Sequence, residues 1–392
     1  MGFTLTEIHL EGFRNHSNFA LTAIKGNVFI AGPNASGKSS LLEAVQLLCA
    51  LESFRTTEWQ SLTQKGQESC YLSGLFEYGE RIHKVQMTVR QAKREYLFNG
   101  KSKRLSDMAR IVPIVLFVPD DLALVKGSAE QRRLLVDSLG RRLSANYQKV
   151  YSDYSKVIRQ RNFLLRERQK RRDYDSGTGS EEAAWNDRLI EVGAALTLLR
   201  YGLFMRMAER AAINYQRLSG GELLGYDYLA SFQRGIDSAQ RADLGQTTSA
   251  ETVRSLIAQT IEARRAEEYV RGTSLVGPHK DEIIFYIDGQ EARGFASQGQ
   301  QRSIALAIKI AEMELVREIS GSNAILLLDD VLSELDASRR NQLLLLSSEA
   351  TQSFITTTDI SVIPDVYLAN GTLIELDKPK APNPPARSEK TS

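Results

Sequence analysis

The fold is decided by Ile30-Ala31-Gly32-Pro33-Asn34-Ala35-Ser36-Gly37-Lys38-Ser39-Ser40, which follows the apolar run Asn27-Val28-Phe29-Ile30-Ala31 and leads into the helical pattern Leu41-Leu42-Glu43-Ala44-Val45. This is P-loop spacing between a strand and a helix, the context it requires. Gly32 and Gly37 let the backbone curl through Pro33, Asn34, Ala35 and Ser36 so that its N–H groups point at phosphate oxygens. Lys38 then reaches the terminal phosphates, Ser39 offers a hydroxyl to Mg²⁺, and the helix that includes Ser40 turns its positive end toward the anion. A Gly-rich turn with no ligand is the plainer alternative, but the complete pattern speaks against it. The chain is expected to bind a nucleoside triphosphate.

Upstream, Thr4 to Leu10 alternates like a half-buried strand, and Gly12-Phe13-Arg14-Asn15-His16 lies between it and the P-loop strand. Arg14 and Asn15 are either surface turn residues or groups that reach over to the nucleotide, since a cation on a neighbouring strand can meet phosphate or base. Downstream the chain is polar around Ser53 to Glu68, then alternates through Tyr71 to Tyr78 and Lys84 to Val89. A hairpin turn follows at Phe98-Asn99-Gly100-Lys101. Lys93, Arg94, Lys101, Lys103 and Arg104 crowd that hairpin as edge-strand charges or as a phosphate-tracking patch. Ile111 to Phe117 reads as a strand covered on both faces, ending at Pro119-Asp120-Asp121-Leu122.

From about Arg141 the period lengthens. Leu143, Tyr147, Val150, Tyr154, Val157 and Leu164 form one seam, interrupted by Arg161, and Trp185, Leu189, Val192, Leu196, Leu199 and Leu203 form another. The two can close as a short antiparallel hairpin across the link Asp173 to Ser180. The basic run Arg166, Arg168, Lys170, Arg171 and Arg172 near its tip is a solvated face or a contact for nucleic acid or a partner. Leu218-Ser219-Gly220-Gly221-Glu222 imitates an ABC signature, but the sequence after it looks extended and the acidic strand is far away. It reads as a helix stop with glycines past the end.

The better signature is Ser297-Gln298-Gly299-Gln300-Gln301-Arg302, opening a helix whose apolar positions include Ile304, Ala307, Ile308, Ala311 and Leu315. Next comes Ala324-Ile325-Leu326-Leu327-Leu328-Asp329-Asp330, a Walker B strand; paired acids at the end of a buried strand imply a bound cation. Asp329 is assigned to Mg²⁺ with Ser39, and Asp330 to the attacking water. Ser333-Glu334-Leu335-Asp336 stands, after such a strand, where ABC-type ATPases place a dimer-contacting loop.

Composition sets outer bounds. The 392 residues, 42% hydrophobic and 25% charged, read as soluble and globular, and the net charge of +2 does not itself argue for nucleic acid. Cys49 and Cys70 fit no metal-ligand spacing. No run is long enough to cross a bilayer and the first residues lack a basic, then apolar leader, so a cytoplasmic protein is expected. The Pro-rich stretch 378–392 is expected to be a disordered tail.

With these residues in view, the chain resembles the RecF family, bacterial DNA replication and repair ATPases of the ABC/SMC group. The likeness rests on Gly12-Phe13-Arg14-Asn15, the P-loop, Phe117-Val118-Pro119-Asp120-Asp121-Leu122, Leu124-Val125-Lys126-Gly127, Arg132-Arg133 with Asp137, Gln160-Arg161-Asn162, Gly277-Pro278-His279-Lys280-Asp281, the signature and the Walker B segment. The resemblance implies an α/β fold: an ABC-type head built from both chain ends (1–120 and 271–377) around an inserted, mainly helical lobe (121–270). It implies ATP-driven homodimerisation, with Ser297, Gly299 and Gln300 of one subunit covering the ATP of the other. It also implies ATP-dependent binding of duplex DNA at single-strand gaps and junctions, slow hydrolysis with Asp330 and Lys38 as catalytic residues, and work with RecO and RecR to load RecA and support the SOS response. Other ABC-type ATPases, a transporter subunit or a chromosome-structure protein, are the alternative. The sequence departs from the family in closing its P-loop with Lys38-Ser39-Ser40 where Lys-Thr-Asn is usual. No Q-loop glutamine is assigned, and the switch histidine of ABC transporters is absent near Thr358-Asp359.

Overall fold

A computed structural model of the chain describes residues 2–102, 111–173, 179–236, 244–245 and 249–377. The expected tail, the centre of the 173–180 link, and Lys103 and Arg104 of the hairpin cluster lie outside the described residues.

A five-stranded parallel sheet partitions the molecule, in the order β14 (Gly371–Glu375), β3 (Asn27–Ala31), β13 (Gln352–Thr357), β12 (Ile325–Asp329) and β8 (Ile114–Phe117). Strands from both chain ends interleave in it, β3 lying between β14 and β13. Because both faces are covered, its central strands are apolar throughout, and successive side chains enter different cores. Ile325 and Leu327 join Val28 and Ile30 in a core with α1 (Lys38–Ala50) and an antiparallel sheet. Leu326 and Leu328 join Phe29 in the core on the other face.

The antiparallel sheet has six strands, ordered β2 (His16–Leu21), β1 (Thr4–Phe13), β4 (Ser69–Tyr78), β5 (Arg81–Arg90), β6 (Lys93–Phe98) and β7 (Lys101–Ser102). The expected Asn99-Gly100 turn joins β6 to β7, with both residues at positive φ. Of the basic residues here, Arg94 is engaged, stacking 3.9 Å over the Trp59 ring.

The lobe comprises α2 (Ala129–Leu143), α3 (Ala145–Arg171), the 40-residue α4 (Ser180–Ser219) and α5 (Ala250–Arg271), with a small sheet of β9 (Leu224–Leu229), β10 (Glu282–Ile287) and β11 (Gln290–Glu291). Helices α3 and α4 form the expected hairpin, but α4 continues back to pack along α6 (Gln298–Ser320), the helix after the signature. Leu189, Val192 and Leu196 of the lobe therefore share one core with Leu306 and Leu326 of the head. The core runs across the expected boundaries at 120 and 270. α7 (Ala337–Glu349) follows β12 and packs against α6 and β13.

Three sequence expectations need correction. The β8 strand starts at Ile114, not Ile111. Arg161, expected to interrupt the α3 seam, is instead buried within it, its Nη2 lying 2.6 Å from Glu268, and Leu165 is the fully buried leucine in place of Leu164. Within the basic run, Arg168 packs over Tyr269 and faces Glu182 at 3.5 Å, so the face is not uniformly solvated. The reading of Ser219-Gly220-Gly221 as a stop holds: α4 ends at Ser219, and Gly220 takes a left-handed φ of 77°.

Candidate nucleotide-binding site

The curl between β3 and α1 forms the floor of an open cleft of about 550 Å³, lined by Asn34, Ala35, Gly37, Lys38, Ser39 and Ser40, by Arg14 and Asn15, and by Asp330. Gly37 has φ of 106°, and a Cβ there would lie 2.6 Å from Asn15 Nδ2 and 2.7 Å from His16 Nε2. At Gly32 a Cβ would meet the Leu376 carbonyl at 2.5 Å. Both glycines are therefore required by close approach, and at Gly37 by backbone conformation as well.

Lys38 is nearly buried, and its ammonium donates to the carbonyls of Gly32 (2.8 Å) and Pro33 (3.0 Å) of its own loop. Those carbonyls hold the charge where phosphate oxygens would otherwise receive it. Ser36 Oγ is buried and has no hydrogen-bond partner among the described residues. An orphaned hydroxyl inside a phosphate-shaped loop is a group left for an incoming acceptor.

The two Walker B acids are treated differently. Asp329 Oδ1 accepts from Ser39 Oγ at 2.8 Å and from Thr356 Oγ1 at 2.9 Å, so the hydroxyl and carboxylate expected to share an ion already stand together. One hydroxyl and one carboxylate suit Mg²⁺, which keeps several waters and takes its other ligands from substrate phosphates. Asp330 faces the cleft with φ of 53°, strain that aspartate tolerates better than most residues. Its N–H donates to Thr356 Oγ1 (2.9 Å). Burial pushes its carboxyl above the ordinary carboxylate range, with Lys38 opposing the shift.

The cleft wall departs from the simplest reading of Arg14. Its Nη2 and Nε donate to the two oxygens of Glu43 at 2.7 and 2.9 Å, and Nη1 donates to the Ser61 carbonyl at 2.8 Å. Arg14 lines the cleft, but its fork is committed to a fully buried carboxylate on α1. Asn15 and His16 pack on Gly37, and burial lowers the pKa of His16. Sequence reasoning missed Arg55, Ser61, Thr63 and Lys65, which also line the cleft. Arg55 reaches Ser40 Oγ at 3.2 Å and Glu43 at 3.5 Å. The polar stretch carrying these residues has no periodicity to flag it. Backbone pairing places it over the site, Arg14 N–H donating to Leu62 O and Gln64 N–H to Gly12 O, both at 2.8 Å.

Ser297, Gly299 and Gln300 are not among the residues lining this cleft. They form the N-terminus of α6, where Ser297 Oγ accepts from the Gln300 N–H (3.2 Å) and Gln300 Oε1 accepts from the Ser297 N–H (2.9 Å), a capping box. Ser297 and Gln298 are exposed, and Phe295 beside them is 76% exposed. The signature imitator returns here: Glu222 Oε1 accepts from Gln300 Nε2 at 2.8 Å and its Oε2 accepts from Tyr215 Oη at 2.6 Å. The peptide read as a plain helix stop thus also braces the N-terminus of α6, the segment read as the signature.

Among the described residues no helix is long and apolar enough to cross a membrane, and no group of three or more His, Cys, Asp or Glu is placed to hold a metal.

Comparison with known proteins agrees with this geometry. Residues 4–371 match the family described as RecF/RecN/SMC N terminal domain. The chain is 35% identical over 383 residues to the DNA replication and repair protein RecF of Moorella thermoacetica, covering 97% of this chain and 96% of that one. It is 35% identical over 384 residues to RecF of Crocosphaera subtropica, covering 95% and 98%. Among solved structures it is similar to the recombination mediator protein RecF bound to ATPrS, of the RecFOR pathway, with a TM-score of 0.83 and 27% identity, covering 96% of this chain and 98% of that one. Similarity to the Smc head domain of Pyrococcus furiosus, at 16% identity and a TM-score of 0.51, extends to the fold alone. A P-loop at the end of a parallel sheet built from both chain ends, together with full-length likeness to these relatives, places the chain in the RecF family of ABC/SMC-type ATPases in DNA replication and repair.

Proposed function

We propose that this chain is a cytoplasmic, ATP-dependent DNA-binding protein of recombinational repair and replication restart. Two copies close on ATP and Mg²⁺, bind duplex DNA at single-strand gaps or junctions, hydrolyse ATP slowly, and work with RecO and RecR to load RecA and support the SOS response. One observation carries this reading: Ser297, Gly299 and Gln300, at the exposed helix end that would cap a triphosphate, do not line the P-loop cleft of their own subunit. A signature that does not line its own cleft serves the cleft of a second copy.

In this arrangement Lys38 leaves the Gly32 and Pro33 carbonyls for the terminal phosphates, and Ser36 Oγ gains a partner. Gly32, Pro33, Asn34, Ala35 and Gly37 supply the backbone cradle. Ser39 and Asp329 would hold Mg²⁺, whose charge offsets that developing on the phosphates. Asp330, raised by burial, orients or deprotonates the attacking water. Its side chain is one methylene shorter than the Glu common at this position, which favours slow turnover. Ser297, Gly299 and Gln300 of the second copy present the N-terminus of α6 to the γ-phosphate.

Mass in solution with and without Mg-ATP, then with gapped DNA, tests the reading. A monomer that becomes a dimer only with Mg-ATP supports it, and Lys38→Met should abolish nucleotide binding, dimerisation and DNA affinity together. Lone subunits at saturating Mg-ATP, even with gapped DNA present, would overturn it. Asp330→Asn should bind ATP and dimerise yet lose hydrolysis; unchanged hydrolysis would remove Asp330 from its role.

A further inference from the structure

Several motifs that carry the family likeness lie outside the nucleotide cleft, and they meet at one turn, Gly277-Pro278-His279-Lys280-Asp281. Arg132 on α2 ties the preceding loop by donating to the carbonyls of Val125 (3.3 Å) and Gly127 (2.8 Å). Asp137 on the same helix holds Arg200 at 2.8 and 3.0 Å, and Arg200 Nη1 donates to Pro278 O at 2.6 Å. Arg161 donates to Ser274 Oγ (2.6 Å), and Asn162 Oδ1 accepts from the Ser274 N–H (2.7 Å). Gly277 N–H donates to Ser231 Oγ at 2.8 Å, His279 lies between Tyr154 Oη and Ser274 O, and Asp281 accepts from Tyr228 Oη and the Ser231 N–H. Lys280 differs: it is half-exposed and forms no ion pair among the described residues.

Two guanidinium groups are pinned beside it on consecutive carbonyls. Arg234 Nη2 donates to Lys280 O at 2.5 Å and Arg133 Nη1 to Asp281 O at 2.6 Å. Burial, then Arg133, Arg234, Arg271 and Arg264, disfavour the charged form of the Lys280 ammonium. Among the described residues, Asp281 is paired with Arg200, Glu282 with Arg132, and Glu267 with both Arg264 and Arg271, while the exposed Glu130 on α2 offsets part of the charge of Arg133. Crowding cations from separate elements costs energy that a bound anion returns. Arg234 is exposed and Arg133 half-exposed, so the face is open to a polyanion passing across it.

We propose that Arg133, Arg234 and Lys280 form a contact for successive backbone phosphates of duplex DNA. This rests on the DNA-binding reading above and assigns that activity a place on the lobe. Held guanidinium forks and a point-charge ammonium fit phosphate oxygens and carry no base-edge specificity.

The test is duplex binding by the full-length chain with Mg-ATP across a salt series, comparing wild type, Lys280→Ala, Lys280→Arg and the double variant Lys280→Ala with Arg234→Ala. The double variant should bind about tenfold more weakly at low salt, and the slope of log affinity against log salt should fall by about two. Lys280→Ala alone should lower that slope by about one, and Lys280→Arg should retain it. ATP binding, ATP-dependent dimer mass and melting temperature should match wild type. Equal affinity and slope in the double variant, with wild type binding normally, would overturn the patch alone. Wild type that binds no duplex would overturn the functional reading as well. Unchanged DNA binding together with loss of an acidic protein partner would move the patch to a protein interface and overturn the proposal.

Discussion

The molecule has two polar centres, and they are built on opposite terms. In the cleft, Lys38 rests on carbonyls of its own loop, Ser36 Oγ has no partner among the described residues and Asp330 sits in a left-handed conformation facing the cleft. In the lobe, Arg200 is buried and closed on all sides by Asp137, Pro278 O, Tyr228 and Asp281, while Tyr147 supplies a further hydrogen bond to Asp137 at 2.6 Å. The first centre stays responsive because its groups are satisfied provisionally. The second is architectural because every charge has a fixed answer, and such a network is costly to open.

The largest expected effect tests that contrast on stability. Arg200→Met should cost roughly 3–5 kcal/mol, because it leaves Asp137 and Asp281 buried without their shared cation. Lys38→Met, although also nearly buried, should cost less, about 1–2 kcal/mol, since it gives up two hydrogen bonds to loop carbonyls and an attraction to Asp330 but strands no buried ion pair. Chemical denaturation of both variants decides it. Equal losses would erase the distinction between the centres.

The next effect depends on pH. His279 Nε2 meets Ser274 O at 3.1 Å and its Nδ1 meets Tyr154 Oη at 2.5 Å, contacts that a neutral ring satisfies with Nε2–H donating and Nδ1 accepting. Burial lowers its pKa from 6.5 to about 4, with Ser274 opposing and Lys280 adding to the shift. Because the folded value is depressed, its stabilising contribution is complete above the ordinary value and is lost as pH falls through the window toward 4. Between about pH 7.5 and about pH 5 wild type should lose about 2 kcal/mol more than His279→Gln. Parallel stability curves over that range would show that His279 is protonated without penalty.

In the cleft, Gly37→Ala should cost about 1–3 kcal/mol, since alanine must adopt φ of 106° and displace Asn15 and His16. Denaturation together with nucleotide titration measures it. An alanine that leaves both unchanged would mean the loop is free to reshape.

These centres were not equally legible in the sequence. The P-loop could be read because its chemistry is local: strand, turn and helix lie within a few residues and the glycines mark the turn. The Walker B strand could be read because two acids closing an apolar run are costly to bury unless a cation shares them. The lobe network could not, because Asp137, Arg200 and Asp281 are far apart in the chain and each sits in a segment where a charged residue ordinarily faces water. Arg161 left a trace as a break in the α3 seam, but periodicity alone does not separate a surface cation from one paired inside with Glu268. Arg14 shows the converse error: its place beside the P-loop was legible, but its commitment to Glu43 was not.

The smallest effect lies at Glu222, where the two kinds of design meet. Its carboxylate is fixed by Tyr215, as in the lobe, yet it holds Gln300, which the proposed dimer offers to the partner's nucleotide. Glu222→Ala removes both hydrogen bonds and frees Gln300; losing about 1 kcal/mol of positioning would raise the ATP concentration needed for half-maximal dimerisation about fivefold. Glu222→Gln keeps an acceptor for Gln300 but removes a negative charge near the helix end that receives the triphosphate. Its half-maximal concentration should equal wild type or fall slightly below it, the difference shrinking as salt rises. Dimer mass measured against ATP concentration separates positioning from charge. If the two variants weaken dimerisation equally, the carboxylate's charge matters and not its hold on Gln300; if neither changes it, the brace between the Ser219-Gly220-Gly221-Glu222 turn and the signature is architecture alone.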